Sequence, residues 1–190
     1  MAAAAPRERL LLVYGDSLSA TYNLRADQGW VAQLQKRLEQ QGYGYRVVNA
    51  SVSGETTAGG RARLVRALEA HRPQLVILQL GANDGLRGLP VKDARANLAT
   101  MIQDIQKRQA RVLLAGIVMP PNYGPRYTDS FAAMYPELAR EFDVALIPFL
   151  LEGVALNDRF MQSDGLHPNA AGQPVVLETV WKHLKPLLER

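Results

Sequence analysis

The sequence predicts an α/β fold, a three-layer α/β/α domain built around a doubly wound sheet of about five parallel strands. Segments rich in Val, Leu and Ile alternate along the chain with segments whose apolar residues recur every three or four positions. The first pattern is typical of buried strands and the second of amphipathic helices. This alternation continues without a linker or an internal repeat, which favours parallel strands joined by helical crossovers.

Five runs rich in Val, Leu and Ile are the predicted strands. They cover residues 10–14, 45–48, 75–80, 112–118 and 144–147. Their residues do not alternate between apolar and polar, as they would in a sheet with one face in water. Continuous runs are typical of parallel strands that helices cover on both faces.

Five further segments carry an apolar stripe at helical spacing. The stripes are Trp30, Leu34 and Leu38; Leu64, Val65 and Leu68; Leu98, Ile102 and Ile105; Phe131, Met134 and Leu138; and Val176, Val180, Leu184 and Leu187. Each stripe can lie against the sheet, because side chains three or four positions apart share one face of a helix. We expect residues 1–8 to form an N-terminal tail and residues 9–190 a single domain.

The composition excludes several classes of protein. Hydrophobic residues make up 47% of the 190 residues and charged residues 21%, which are ordinary globular values. Lys and Arg exceed Asp and Glu by only 22 to 18 and are scattered singly, so no nucleic-acid partner is expected. The absence of cysteine excludes disulfides, thiolate metal ligands and a cysteine nucleophile. No apolar run is long enough for an integral membrane segment.

The N-terminal residues Met-Ala-Ala-Ala-Ala-Pro-Arg-Glu-Arg leave the cellular compartment open. They lack the apolar stretch of a signal peptide, yet runs of small residues often flank a signal-cleavage site. A mature exported protein and a cytoplasmic protein with a short tail are equally consistent with this segment.

A serine follows the first predicted strand directly, in Gly15-Asp16-Ser17-Leu18. In a doubly wound sheet, ligands bind beyond the carboxyl ends of the strands. A serine at this position can point its hydroxyl into the cleft, while its N–H faces a developing oxyanion. Taken alone, the same residues more often turn the chain or cap a helix than form a catalytic site.

The segments after the second and third strands could supply further hydrogen-bond donors. Gly54 allows a backbone N–H to approach a ligand without an intervening Cβ, although a simple turn explains it equally well. Asn83, in Gly81-Ala82-Asn83-Asp84, could direct its side-chain amide at the same oxyanion. Alternatively, Asn83 or Asp84 could form an Asx-turn.

One of the three histidines stands in a loop that suits catalysis. His167 follows Asp164 and Gly165, whereas His71 and His183 lie in helical segments and are expected to be surface or packing residues. Asp164 could accept a hydrogen bond from one ring N–H of His167 and leave the other ring nitrogen free to take the serine proton. A turn that contains an incidental histidine is the alternative.

Together these motifs resemble the four sequence blocks of the SGNH (GDSL) hydrolase superfamily, in the family's order: Gly15-Asp16-Ser17-Leu18, Gly54, Gly81-X-Asn83-Asp84 and Asp164-X-X-His167. Residues 15–20, 83–88, 121–124, 141–144 and 164–169 are similar to the bacterial thioesterase I, lysophospholipase and arylesterase subgroup. That subgroup often has Gly-Gly-Asn where this chain has Gly-Ala-Asn, so Ala82 is expected to restrict the turn slightly.

The resemblance implies a flavodoxin-like SGNH hydrolase fold and a serine hydrolase that cleaves carboxylic esters and thioesters through an acyl-enzyme. By this resemblance Ser17 is the nucleophile, His167 the base and Asp164 its partner. The N–H groups of Ser17 and Gly54 and the side chain of Asn83 form the oxyanion hole. The resemblance implies no metal and no organic cofactor. It favours a periplasmic or secreted protein, and we expect a monomer.

Substrate choice is expected to depend on loops rather than on these residues. Residues 85–90 and 119–127 follow strand ends and carry apolar side chains that could wall a groove for an acyl chain. The candidates for substrate contact are Asp16, Leu18, Asp84, Leu86, Leu89, Pro121 and Tyr123. A carbohydrate O-acetyl esterase, which would need a shallow polar pocket, is one alternative. A non-catalytic binding module on the same fold is the other.

Overall fold

A computed structural model describes residues 9–189 and confirms the predicted fold class. Its five strands are all parallel and lie side by side in the order β2-β1-β3-β4-β5. The strands are β1 Arg9–Gly15, β2 Tyr45–Asn49, β3 Leu75–Gln79, β4 Arg111–Ala115 and β5 Ala145–Ile147. The predicted tail at residues 1–8 lies outside the described residues.

The described residues contain six α-helices. They are α1 Trp30–Gln40, α2 Thr57–His71, α3 Ala82–Leu86, α4 Val91–Gln106, α5 Pro125–Glu141 and α6 Gln173–Leu184. Helix α1 packs with α6, while α4 packs between α2 and α5. The short helix α3, which the sequence did not predict, begins where a turn was expected after β3. Across residues 9–189, no helix is long and apolar enough to cross a membrane.

The core lies on both faces of the sheet, as the continuous apolar strands predicted. Every residue of β3 is buried, and so are the predicted stripe residues Leu34, Leu64 and Leu98. Two stripe assignments are wrong. Val65 is 39% exposed because it lies one position, about 100° of helical rotation, beyond Leu64. Leu187 belongs to a 3₁₀ turn after α6 rather than to the helix itself.

Strand β4 ends at Ala115, three residues before the predicted end at residue 118. The chain leaves the sheet at Gly116, whose N–H donates to the carbonyl of Ile147 at 2.8 Å and whose own carbonyl accepts from Leu150 at 2.9 Å. A Cβ at residue 116 would overlap the carbonyl of Pro148, so this close passage of two backbones requires glycine. The apolar residues that follow line a groove instead of continuing the strand.

The strand order places the two most important loops next to each other. Strand β1 lies between β2 and β3, so the direction of the crossovers reverses beside it. Ligands of doubly wound sheets bind in the crevice at such a reversal, beyond the carboxyl ends of the strands. Gly15 pairs with Gln79 at the ends of β1 and β3, and Ser17 and Asn83 follow these two residues.

Candidate active site

A buried polar cluster holds the turn that carries Ser17. The Oδ1 atom of Asp16 accepts the N–H of Leu18 at 3.0 Å and the Nε2 of Gln79 at 3.0 Å. The Oε1 atom of Gln79 accepts the hydroxyl of Ser19 at 2.7 Å. These bonds fasten the end of β1 to the end of β3 directly beneath Ser17. Burial raises the pKa of Asp16 to about 6, against the opposing effect of the hydrogen bonds from Leu18 and Gln79.

Ser17, His167 and Asp164 form a continuous hydrogen-bonded chain. The distance between Ser17 Oγ and His167 Nε2 is 2.8 Å, and that between His167 Nδ1 and Asp164 Oδ2 is 2.7 Å. The other Asp164 oxygen accepts the backbone N–H groups of Leu166 and His167, in a turn that Gly165 makes with a φ of 65°. Partial burial opposes ionisation of Asp164, but these N–H bonds and the His167 ring outweigh it and lower its pKa.

Tyr22, which no sequence motif indicated, places its ring against that of His167. The two ring centroids lie 4.3 Å apart at an interplanar angle of 33°. Thr21 and Asn23, on either side of Tyr22, both have φ values in the left-handed region, 61° and 54°. Such backbone conformations are unfavourable for residues other than glycine and cluster at functional sites. Gln162 donates to the carbonyl of Tyr22 at 3.0 Å and so ties this segment to the histidine loop.

Asn83 lies beside Ser17 and His167 in the lining of one groove. Its Nδ2 donates to the carbonyl of Glu55 at 3.0 Å, which fixes the plane of the amide. Gly54, the residue before Glu55, is exposed with a φ of 80° and is not among the groove-lining residues. The expected restriction by Ala82 is absent, because the left-handed φ of 119° falls on Gly81 and Ala82 is the first residue of α3.

Asp16 and Asp84, both expected to contact substrate, are buried instead. Asp84 is only 3% exposed, and its two oxygens accept the backbone N–H and the hydroxyl of Thr57. The carboxylate therefore holds the start of α2 against α3. Neither aspartate is among the groove-lining residues. The prediction that Asp16 and Asp84 contact substrate is therefore wrong, because both are buried against partners that are distant in the sequence.

The groove next to Ser17 has a volume of about 520 Å³ and is mainly apolar. Its walls come from the segment after β4, from α5 and from the segment after β5, and include Met119, Ala132, Phe149, Leu151, Leu156 and Leu166. Three of the substrate-contact candidates, Leu18, Leu86 and Pro121, line this groove.

The other two candidates, Leu89 and Tyr123, lie outside the groove. Tyr123 lines a separate cavity of about 420 Å³, and its hydroxyl donates to the carbonyl of Leu86 at 2.8 Å. The neighbouring Tyr127 donates to the carbonyl of Leu89 at 2.9 Å. The two tyrosines thus hold the 85–89 loop, and only Leu86 from that loop lines the groove.

The other two histidines lie away from the groove. His71 is the last residue of α2 and His183 lies in α6, and neither lines the groove. Within the described part of the chain, no three His, Cys, Asp or Glu residues are grouped so that they could hold a metal ion.

A family model and the similar curated proteins point to the same family. Residues 13–175 match the GDSL-like Lipase/Acylhydrolase family. Esterase TesA of Pseudomonas aeruginosa is 54% identical over 94% of this chain and 89% of its own. Thioesterase 1/protease 1/lysophospholipase L1 of Escherichia coli K12 is 44% identical over 94% of this chain and 84% of its own.

Solved structures agree with these sequence relatives. The crystal structure of TesA superposes with a TM-score of 0.93 at 54% identity and covers 95% of this chain and all of its own. The psychrotrophic esterase EstA from Pseudoalteromonas sp., inhibited by monoethylphosphonate, superposes with a TM-score of 0.90 at 37% identity, over 94% of this chain and 98% of its own. With its sequence blocks, its strand order and these matches, the chain belongs to the GDSL-like lipase/acylhydrolase family.

Proposed function

We propose that this protein is a serine hydrolase that cleaves carboxylic esters and thioesters through an acyl-enzyme on Ser17. The observation that carries the proposal is the hydrogen-bonded chain from Ser17 through His167 to Asp164 beside an apolar groove. A serine within hydrogen-bond distance of an imidazole that a carboxylate orients is the arrangement required for nucleophilic acyl transfer.

In the proposed mechanism, His167 Nε2 takes the proton of Ser17 Oγ as this oxygen attacks the acyl carbonyl. Asp164 stabilises the resulting imidazolium and keeps the Nδ1–H directed away from the serine. His167 then protonates the departing alcohol or thiol, which leaves the acyl group on Ser17. A water molecule, deprotonated by the same nitrogen, hydrolyses this ester and restores the free serine.

The oxyanion formed in both steps is assigned to the N–H groups of Ser17 and Gly54 and to the Asn83 amide. Asn83 lies in the same groove lining as Ser17, and one of its N–H groups is already committed to the Glu55 carbonyl. The other N–H is therefore available for the oxyanion. A single donor of this kind typically stabilises the transition state by about 3–4 kcal/mol.

Lipid-type acyl groups are the proposed substrates. Leu156, Val118 and Leu166 line the groove yet are 83%, 43% and 37% exposed, and an apolar acyl chain would cover them. A sugar O-acetyl ester would leave most of this apolar surface in water. The names of the relatives, which include lysophospholipase and arylesterase, agree with an acyl substrate.

A series of p-nitrophenyl esters and acyl-CoA thioesters, from acetyl to palmitoyl, tests both parts of the proposal. We expect kcat/KM to rise from acetyl to medium chains in the wild type and to be abolished in Ser17→Ala. Activity confined to acetyl esters would favour the carbohydrate O-acetyl esterase. A folded wild type without any activity would favour the binding module.

We also propose that the protein acts as a monomer in the periplasm or outside the cell, as the subgroup resemblance implies. Cell fractionation of the native host and size-exclusion chromatography with light scattering test these two points. Recovery of the activity in the cytoplasmic fraction, or a dimeric mass, would contradict them.

A further inference from the structure

The carbonyl that orients the Asn83 amide belongs to a residue whose side chain is largely shielded from solvent and paired. Glu55 accepts from Asn83 through its backbone oxygen, at 3.0 Å from Nδ2. Its carboxylate is only 13% exposed and forms an ion pair with the Nε of Arg63. The side chain enters this position beside Gly59, where a Cβ would overlap Oε1 of Glu55.

Arg63 is itself fixed on its other side by the central sheet. Its guanidinium lies over the ring of Tyr14, with Cζ 4.3 Å from the ring centroid. The Tyr14 hydroxyl donates to the carbonyl of Gly60 at 2.7 Å, and its ring is fully buried in β1. The Nη2 atom of Arg63 is buried with no hydrogen-bond partner among residues 9–189, so the guanidinium depends on Glu55 for its charge compensation.

The segment that contains Gly54 and Glu55 has few other attachments. Val52 and Gly54 are exposed. The Val52 N–H donates to Gly15, and the exposed Arg87 donates to the Gly54 carbonyl at 3.2 Å. The Glu55–Arg63 ion pair is the shielded attachment of the Glu55 side chain itself, and the buried hydrogen bonds from Thr57 to Asp84 hold the start of α2 two residues further on. Surface contacts such as that of Arg87 contribute little.

We propose that the Glu55–Arg63 ion pair positions the oxyanion hole of the hydrolase proposed above. The pair holds the backbone at residues 54–55, which supplies both the Gly54 N–H and the carbonyl that orients Asn83. Arg63 and Glu55 are positioning residues, since neither side chain lines the groove. A displacement of about 1 Å in such a donor can cost as much as about a hundredfold in rate.

The test compares kcat and KM of Arg63→Ala and Glu55→Gln in the wild type and in an Asn83→Ala background. In the wild type we expect Arg63→Ala to lower kcat about tenfold and to change KM by less than about threefold. Once Asn83 is absent, the same change should lower kcat by less than in the wild type, because the part of the effect that acts through the Asn83 amide is gone and only the part through the Gly54 N–H remains. Glu55→Gln, which keeps the shape of the side chain, carries the test if Arg63→Ala does not fold.

Arg95→Ala is the matched control. Arg95 forms ion pairs with Glu137 and Glu141 on α5. Its side chain is 36% exposed, close to the 31% of Arg63. Arg95 and its two glutamate partners do not line the groove. Its loss should leave kcat unchanged within about twofold. Equal losses of kcat in both backgrounds, or an unchanged kcat in Arg63→Ala, would overturn this inference alone. A folded wild type that hydrolyses no ester would overturn the proposed function with it.

Discussion

Replacing Asp16 by asparagine should make the stability of the protein less dependent on pH. Asp16 has no exposed surface, and its Oδ2 atom has no hydrogen-bond partner among the described residues. Burial is the main cause that raises its pKa from 3.8 to about 6; the nearby His167 lowers this pKa and Asp84 raises it. Asparagine keeps an acceptor for Leu18 and Gln79 but cannot ionise.

The sign and size of the effect follow from the two pKa values of Asp16. Below pH 3.8 the carboxyl is protonated in both the folded and the unfolded chain, so it contributes its full stability. Between pH 3.8 and about 6 the unfolded chain loses this proton more readily, and the free energy of unfolding falls. A difference of about two pKa units corresponds to about 3 kcal/mol, most of it lost between about pH 4 and pH 7.

Urea unfolding followed by circular dichroism, at pH steps from 4 to 8, measures this difference. The free energy of unfolding of Asp16→Asn minus that of the wild type should increase by about 2–3 kcal/mol from pH 4 to pH 8. The new amide N–H also lacks a partner, but its cost of about 1–3 kcal/mol is the same at every pH. Asp27→Asn, at an exposed aspartate, should follow the wild type within about 0.5 kcal/mol. A difference between Asp16→Asn and the wild type that stays constant from pH 4 to pH 8 would show that Asp16 does not titrate in this range in the folded protein.

Three further changes test the site. Asn83→Ala should lower kcat about a hundredfold with a smaller change in KM, because it removes one oxyanion donor; steady-state kinetics with a decrease under threefold would exclude Asn83 from the hole. Asp164→Ala should retain more activity than Ser17→Ala, since Asp164 only orients and stabilises His167, and equal residual rates in the same assay would contradict this ranking. Ala132→Phe fills part of the groove and should lower kcat/KM for decanoyl esters at least about tenfold while acetyl esters change less than about threefold; parallel losses would show that the acyl chain lies elsewhere.

The sequence was sufficient for the fold class and for the three polar residues Ser17, Asn83 and His167 that the structure brings together in the groove. Ser17, Asn83 and His167 each follow a strand or precede a helix in a short motif, and the topology of parallel strands collects such motifs at one edge. The buried strands could also be predicted, because strands that helices cover on both faces have apolar residues without alternation.

The end of β4 could not be predicted from hydrophobicity. Ile117 and Met119 are as apolar as a strand residue, but they cover a groove rather than pair with β5. Only Gly116 marks the change, and its close contact with the carbonyl of Pro148 depends on how β5 packs. Hydrophobic periodicity along the sequence cannot predict that contact.

The polar partners inside the site were missed for a related reason. Asp16 pairs with Gln79, 63 residues away, and Asp84 pairs with Thr57, 27 residues away. Nothing near Asp16 or Asp84 in the sequence distinguishes a buried, hydrogen-bonded carboxylate from one that faces substrate. The stacking of Tyr22 on His167 and the ion pair behind Asn83 likewise exist only once the strands are assembled.

Labelling with a fluorophosphonate is the decisive test of whether Ser17 is an activated nucleophile. Wild type and Ser17→Ala would be treated with the reagent. Intact-mass spectrometry would then count the adducts, and peptide mapping would locate them. We expect a single adduct on Ser17 in the wild type and none in the variant. An unlabelled but folded wild type would contradict the assignment of Ser17 as nucleophile. So would a Ser17→Ala variant that is labelled as much as the wild type.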